Sequence, residues 1–251
     1  MKRILFYSSV NSLELFKTQK FYQIDISILK DLGYDVLLSN RIFDSLLFWK
    51  YDILFSYFYR YSFFAALLAK CFGKKTYFTG GIDSLDSDYA SAFNYKIQAL
   101  FFKLCYWVAD SCIIVSQSDL KNIFKVSSLK KKLSYSEHVI NTKLFIADVP
   151  KEKIFTSIVW MGDEGNVVRK GVDKALQIFA ELKKIPEFVD YRFVIIGRKG
   201  EGEVLVRSII DKYNLKGSVE LKGEVSEEDK INLLKQSKYL SLIHISEPTR
   251  P

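Results

Sequence analysis

Short apolar runs alternate with longer segments of helical pattern along almost the whole chain, and this rhythm restricts the fold more than any other feature. Runs at 3–8 ("RILFYS"), 35–39, 52–56, 75–79 and 111–116 are separated by helix-like stretches at 12–33, 61–73, 92–110 and 117–126, and 132–139 closes this first set. Runs at 154–162, 191–197 and 218–222 lead into helix-like stretches at 172–183, 203–213 and 227–238. Strands that are apolar throughout are buried on both faces, and parallel strands need a helical crossover between them. In the 172–183 segment Val172, Ala175, Leu176, Phe179 and Leu182 fall on one helical stripe. Ser226 with Asp229 three residues later reads as the start of the last helix.

The rhythm breaks once, at 145–154, where one of the four prolines falls. The predicted fold class is α/β, with two Rossmann-like lobes. The boundaries expected are a first lobe at 1–147 and a partial second lobe at 148–240. The stretch "SLIHISEPTRP" (241–251) carries two prolines in eleven residues and continues no strand–helix unit. It reads as a non-native tail, which leaves the second lobe incomplete.

The net charge is +8, distributed as +6 over residues 1–150 and +2 over residues 151–251. A basic, aromatic-rich first half suits an anionic surface such as a phospholipid layer, or is a solvated lysine-rich exterior. No nucleic-acid motif accompanies the charge, so no nucleic-acid partner is expected. Three cysteines without a Cys-x-x-Cys pair argue against a disulfide framework. With only His138 and His244 present, histidine-based metal sites and Ser-His-Asp chemistry are disfavoured. The most apolar region, 42–72, has no charge-free run longer than Tyr61–Ala69, too short for the ~20 residues that span a bilayer. The chain therefore reads as cytoplasmic.

The densest candidate site is "IVWMGDEGNVVRKGVDKALQIF" (158–179). A strand ends at Gly162, a polar loop is expected next, and Arg169, Lys170 and Gly171 then stand directly before a helix. A helix N-terminus carries about half a positive charge and unpaired N–H groups. Glycine lets an anion approach that backbone and lysine adds a full charge. The competing reading is a surface Arg-Lys pair ahead of an ordinary helix. Gly197, opening "GRKGEG" after an apolar strand, lies at a second strand end, where open α/β sheets bind ligands. Asp83, in "GGIDSLDSD", is either an acid for chemistry or a turn aspartate. Cys105 and Cys112 read as core thiols, His138 as a strand-end residue, and Lys130–Lys132 as a solvated loop. The "YFYRYSFF" run (57–64) packs in the core, touches lipid or stacks on a sugar.

The order "RKGVDKALQIFAEL", "YRFVIIGRKGEGEVLVRSIIDKYNL", "VELKGEVSEEDKINLLKQSKYL" resembles the nucleotide-binding lobe of group 1 (family 4) glycosyltransferases of the GT-B fold. In the first half, "YDILFSYFYRYSFFAALLAKCFGKKTYFTGGID", "VADSCIIVSQSDLKNIF" and "HVINTKLF" are similar to the acceptor lobe of that family. The resemblance covers nearly all of residues 1–240. It implies a retaining transfer of sugar from a nucleotide-diphosphate donor to a glycan or lipid-linked acceptor, as in polysaccharide or glycolipid synthesis, with no metal and no cofactor. Peripheral contact with the inner face of the membrane is a further expectation. By resemblance Lys170 is the diphosphate-binding lysine, assisted by Arg169, Gly171, Gly162 and Gly197, and Asp83 stands in the catalytic loop.

The chain also departs from that pattern. Asp163 follows Gly162 where the family often has arginine, and Gly80 stands where it often has histidine. The glutamate-rich donor segment expected after residue 240 does not follow, so the chain itself is expected to be inactive. The alternatives are a non-catalytic binding protein of the same fold, which Asp163 and Gly80 favour, and a nucleotide-sugar 2-epimerase, which needs more acid/base residues than the chain has.

Overall fold

The structure is a computed structural model. It describes residues 1–86, 90–140, 142–146 and 148–241, without the side chain of Asp83. The chain divides into unit 1, Met1–Ile140, and unit 2, Asn141–Pro251.

Unit 1 runs β1 (Arg3–Ser8), α1 (Leu15–Thr18), α2 (Lys20–Asp31), β2 (Asp35–Ser39), β3 (Ile53–Tyr57), α3 (Ser62–Cys71), β4 (Lys75–Thr79), α4 (Ala92–Val108), β5 (Ser111–Ile114), α5 (Gln117–Val126) and β6 (Leu133–Tyr135). The sheet order is β2-β1-β3-β4-β5-β6, with every pair parallel. Parallel register sends alternate residues to opposite faces. Leu5, Leu54, Phe78 and Cys112 share one face and pack with Ala65, Ala66 and Ala69 of α3 and Phe102 and Cys105 of α4. The three alanines let α3 lie close on the sheet. Phe6 and Tyr57 hold the other face with Phe16 and Tyr22.

Local chemistry explains where unit 1 differs from the sequence reading. The expected helix at 12–33 is two helices, because Gln19 is extended and Thr18 turns its hydroxyl back to the Glu14 carbonyl. Two 3-10 turns, Ile42–Leu46 and Phe48–Lys50, lead into β3. Lys132 is half-buried rather than a free surface charge: its Nζ donates to the carbonyls of Tyr106, Trp107 and Ala109 at 3.2, 3.0 and 2.6 Å. It thereby closes the carbonyl end of α4. Cys105 and Cys112 are buried core thiols; burial drives Cys105 far up and pushes Cys112 up to about 12.

Unit 2 contains β7 (Glu152–Ile158), α6 (Glu164–Arg169), α7 (Val172–Leu182), β8 (Arg192–Ile196), α8 (Gly202–Lys212), β9 (Val219–Gly223), α9 (Glu227–Gln236) and β10 (Ser237–Leu240). Its parallel sheet has the order β10-β7-β8-β9. The predicted stripe of α7 is buried at Val172, Ala175, Leu176 and Phe179, with Ala180 added. Leu182 is only partly buried. Ser226 caps α9 by accepting from the Asp229 N–H at 3.0 Å. The helix predicted to reach residue 238 stops at Gln236, and β10 follows at once. Its first residue, Ser237, hydrogen-bonds Thr156 of β7 through the two hydroxyls at 2.5 Å. Residues 242–251, most of the stretch read as a tail, lie outside the described residues. Among the described residues no helix is long and apolar enough to cross a membrane.

Candidate functional site

The candidate site forms where the carboxyl ends of β7 and β8 leave the unit 2 sheet. Beyond Ile158 the chain keeps to the edge of β8. The Val159 N–H donates to the Ile196 carbonyl and the Met161 N–H to that of Arg198, both at 2.9 Å. The loop after β8 then folds back: the Glu201 N–H reaches the Gly162 carbonyl and the Gly202 N–H that of Met161, each at 3.2 Å. Glycine is required at these contacts. A Cβ on Gly197, whose φ is +132°, would stand 2.0 Å from the Val159 oxygen. One on Gly200 would stand 2.5 Å from the Met161 oxygen, and one on Gly202 2.4 Å from the Asp163 oxygen. Gly162 faces the Trp160 ring instead, 2.7 Å from a built Cβ. The "GRKGEG" glycines thus let two strand-end loops lie backbone against backbone. This leaves Arg198 and Lys199 exposed at the rim.

The stretch expected as a polar loop after Gly162 is the helix α6. Asp163 is its N-cap, with Oδ1 accepting the Asn166 N–H at 2.7 Å and Oδ2 accepting its side-chain amide at 3.1 Å. Aspartate is among the strongest N-cap residues, so the sequence favours a helix here despite Gly165. At the other end Arg169 closes the last turn, donating to the Asn166 side-chain oxygen at 3.3 Å, and Lys170 is the C-cap. Gly171 adopts the left-handed conformation (φ 62°) and is at once the residue after α6 and the N-cap of α7. Its N–H donates to the Val168 carbonyl, and its own carbonyl accepts from the Ala175 N–H, each at 2.9 Å. A left-handed residue is what lets two helices join with no linker, and glycine takes that conformation without steric cost.

Two electrostatic consequences follow. Arg169 and Lys170 sit both at the electronegative end of α6 and beside the electropositive first turn of α7, so the α6 dipole stabilises their charge. Asp163 lies at the far end of a six-residue helix, about 10 Å from Lys170 along the axis at ~1.5 Å per residue. Asp163 is therefore engaged as a cap at the end of α6 far from the lysine. Sequence reasoning missed Asp173, in the first turn of α7. Its Oδ1 is buried and, among the described residues, has no hydrogen-bond partner. Only a predicted N-terminal turn at 172–174 could have drawn notice to it.

The other predicted residues are in unit 1. Asp83 opens the 3-10 turn Asp83–Leu85 after β4, and its side chain lies outside the described residues. Gly80 (φ +107°) packs against Phe58 and Tyr57, where a Cβ would meet the Phe58 ring at 3.1 Å. The buried Asp119 steadies the same loop by accepting the Ile82 N–H at 3.3 Å. His138 is exposed beyond β6, its ring 6.3 Å from that of Phe21.

Residues 165–249, which contain the α6–α7 junction and the glycine-rich loop, match the family of glycosyl transferases, group 1. The two parallel α/β sheets and the likeness to solved structures give the chain the GT-B fold, and its second unit carries the match to group 1 glycosyl transferases. Among solved structures it is similar to HepE of Anabaena in complex with UDP and glucose, at a TM-score of 0.67 and 12% identity over 96% of this chain and 74% of that one. It is also similar to sucrose-phosphate synthase of Thermosynechococcus elongatus, at 0.65 and 13% over 96% and 75%. A glycosyltransferase of Rickettsia africae aligns at 0.59 and 14% over 95% and 72%. No curated protein sequence matches the chain.

Proposed function

We propose that this enzyme transfers a sugar from a nucleotide-diphosphate donor, with retention at the anomeric carbon, to a polysaccharide or glycolipid acceptor at the inner face of a membrane. The observation that carries this reading is the α6–α7 junction inside the family match: two cations and a left-handed glycine stand at the first turn of an eleven-residue helix. A diphosphate placed there meets unpaired N–H groups, the positive end of the α7 dipole and the Lys170 ammonium. As the glycosidic bond to the nucleotide breaks, negative charge grows on the departing diphosphate. Arg169 and Lys170 stabilise that charge without a metal. HepE, the structural relative, is seen with UDP and glucose, which supports a donor of this kind. Unit 1 supplies the acceptor side, with Asp83 the acid we assign to orient the acceptor hydroxyl. The family match over residues 165–249 and the capping role of Asp163 weigh against a purely non-catalytic role.

The test is a titration with uridine and guanosine diphosphate sugars. Lys170→Ala should weaken the preferred donor by about 10- to 100-fold, the effect of one lost charge-assisted hydrogen bond. Equal affinity in the two proteins would overturn the assignment.

A further inference from the structure

We infer that the outer face of α3 and α4 is a docking surface for an anionic phospholipid bilayer. The claim names the surface behind the peripheral location proposed above, and it is independent of donor binding.

On α4, Phe93, Ile97, Leu100, Leu104 and Trp107 recur at intervals of four, three, four and three residues. That spacing is one helical stripe. It lies opposite the buried Gln98, Phe102 and Cys105. Ile97 and Leu104 are half-buried, and Leu104 also packs on the core, while Phe93, Leu100 and Trp107 face out, 72%, 56% and 68% exposed. On α3 the stripe Tyr61, Phe64, Leu68 and Phe72 also faces away from the sheet, with the alanines beneath. Ring contacts make one surface of the two. Phe101 of α4 lies 6.3 Å from Tyr61 and 6.2 Å from Phe64. At the other end Phe72 stacks on Phe48 at 4.3 Å, which continues into Trp49, 59% exposed. Contiguous apolar areas of this kind are unusual on a free monomer and mark an interaction site.

Charge selects the occupant. Neither Ser62–Cys71 nor Ala92–Val108 contains a carboxylate. Lys96 and Lys103, seven residues apart, flank the α4 stripe on one side, and both are exposed. Arg60 lies 5.4 Å over the Tyr61 ring, and Lys50 and Lys74 stand at the Phe48–Phe72 end. A second copy of the same face would bring Lys96 and Lys103 against the same cations, with no carboxylate on either helix to answer them. A bilayer with anionic headgroups satisfies both parts, with rings at the headgroup boundary and lysines on phosphate.

The experiment is co-sedimentation of the full chain with vesicles of phosphatidylcholine alone or mixed with phosphatidylglycerol. Tryptophan emission and ultracentrifugation are followed in parallel. The inference requires partitioning at least about tenfold stronger on the mixed vesicles, weakened by salt, with a blue shift from Trp49 and Trp107. The double variant Phe93→Ser/Trp107→Ser should lose most of that partitioning while keeping its melting temperature. Lys96→Glu/Lys103→Glu is the second variant and should lose the preference for anionic lipid. Absence of partitioning, or partitioning that both variants retain, overturns the inference. So does a dimer, or capture of a protein partner, that the aromatic variant abolishes without any vesicle binding. Donor titration of the same variants keeps the two proposals apart, because a vesicle-binding defect with intact donor affinity bears on this surface alone.

Discussion

The Tyr57 hydroxyl at the end of β3 donates to the Asp25 carboxylate on α2, tying the central strand to the helix above it. Asp25 borders a cavity of about 240 Å³ whose walls include Phe55, Ile113 and Val115. Burial raises the Asp25 carboxyl above its ordinary value, and the Tyr57 hydrogen bond and the His138 charge pull it back only in part. A carboxyl raised on folding keeps its proton where the unfolded chain has lost it. Its contribution to stability is complete below about pH 3.9 and is lost as pH rises through the folded value. Asparagine stays neutral and still accepts from Tyr57. The melting temperature of Asp25→Asn should therefore gain on that of the parent between about pH 4 and pH 7. Calorimetric melts across that range check it, and a constant or shrinking gap counts against a raised carboxyl.

Gly197 offers a sharper mutational test. Its φ of +132° suits glycine alone, and any Cβ there collides with the Val159 carbonyl. Gly197→Ala should cost roughly 3 kcal/mol or more, the sum of backbone strain and overpacking. Urea unfolding measures it directly. A change under about 1 kcal/mol would mean that the two strand-end loops separate at little cost. The expected large loss instead reassigns the residue: its glycine is needed for loop packing whether or not a ligand approaches it.

The large elements of this fold are legible in the sequence because buried parallel strands and their crossover helices leave strong apolar patterns. The runs at 75–79 and 117–126 coincide with β4 and α5 to the residue. Short-range competition is less legible. A six-residue α6 has too few apolar positions to show a period, and its existence rests on the Asp163 cap and the Gly171 reversal. β10 reads as the end of a helix because "SKYL" is only four residues long, and its pairing with β7 spans more than eighty positions. At the site, the positions of Arg169, Lys170 and Gly171 at a helix entrance were readable. That Asp163 caps the opposite end of α6 was not, since it depends on the intervening residues being helical.

Lys132 stands sixth in the stretch that follows α5, yet it acts on α4. Its ammonium meets three carbonyls of the α4 terminus, and the Lys132 N–H also donates to the Tyr106 hydroxyl at 3.1 Å. Lys132→Met keeps the aliphatic stem but removes the donor. It should cost about 1–2 kcal/mol by loss of the cap and the dipole interaction. Lys131→Met, at an exposed neighbour, should stay within about 0.5 kcal/mol. Denaturant midpoints for the pair separate a cap from a surface charge, and equal values would reject the capping role.

Asp163 is where stability and donor binding can be pulled apart. As the N-cap of α6 it accepts two hydrogen bonds from Asn166. Asparagine caps nearly as well as aspartate, whereas alanine cannot, so Asp163→Ala should lose about 1 kcal/mol and Asp163→Asn almost nothing. The two variants share the loss of a negative charge about 10 Å along α6 from Lys170. With a diphosphate at the α6–α7 junction, that loss relieves a modest repulsion. Asp163→Asn should then bind uridine or guanosine diphosphate roughly two- to fivefold more tightly at low ionic strength, with the gain fading as salt is added. Calorimetric titration at two salt concentrations reads both quantities. Weaker binding by a variant of unchanged stability would mean that the Asp163 carboxylate itself accepts from the ligand, and the diphosphate would have to be moved toward the Gly162 end of the helix.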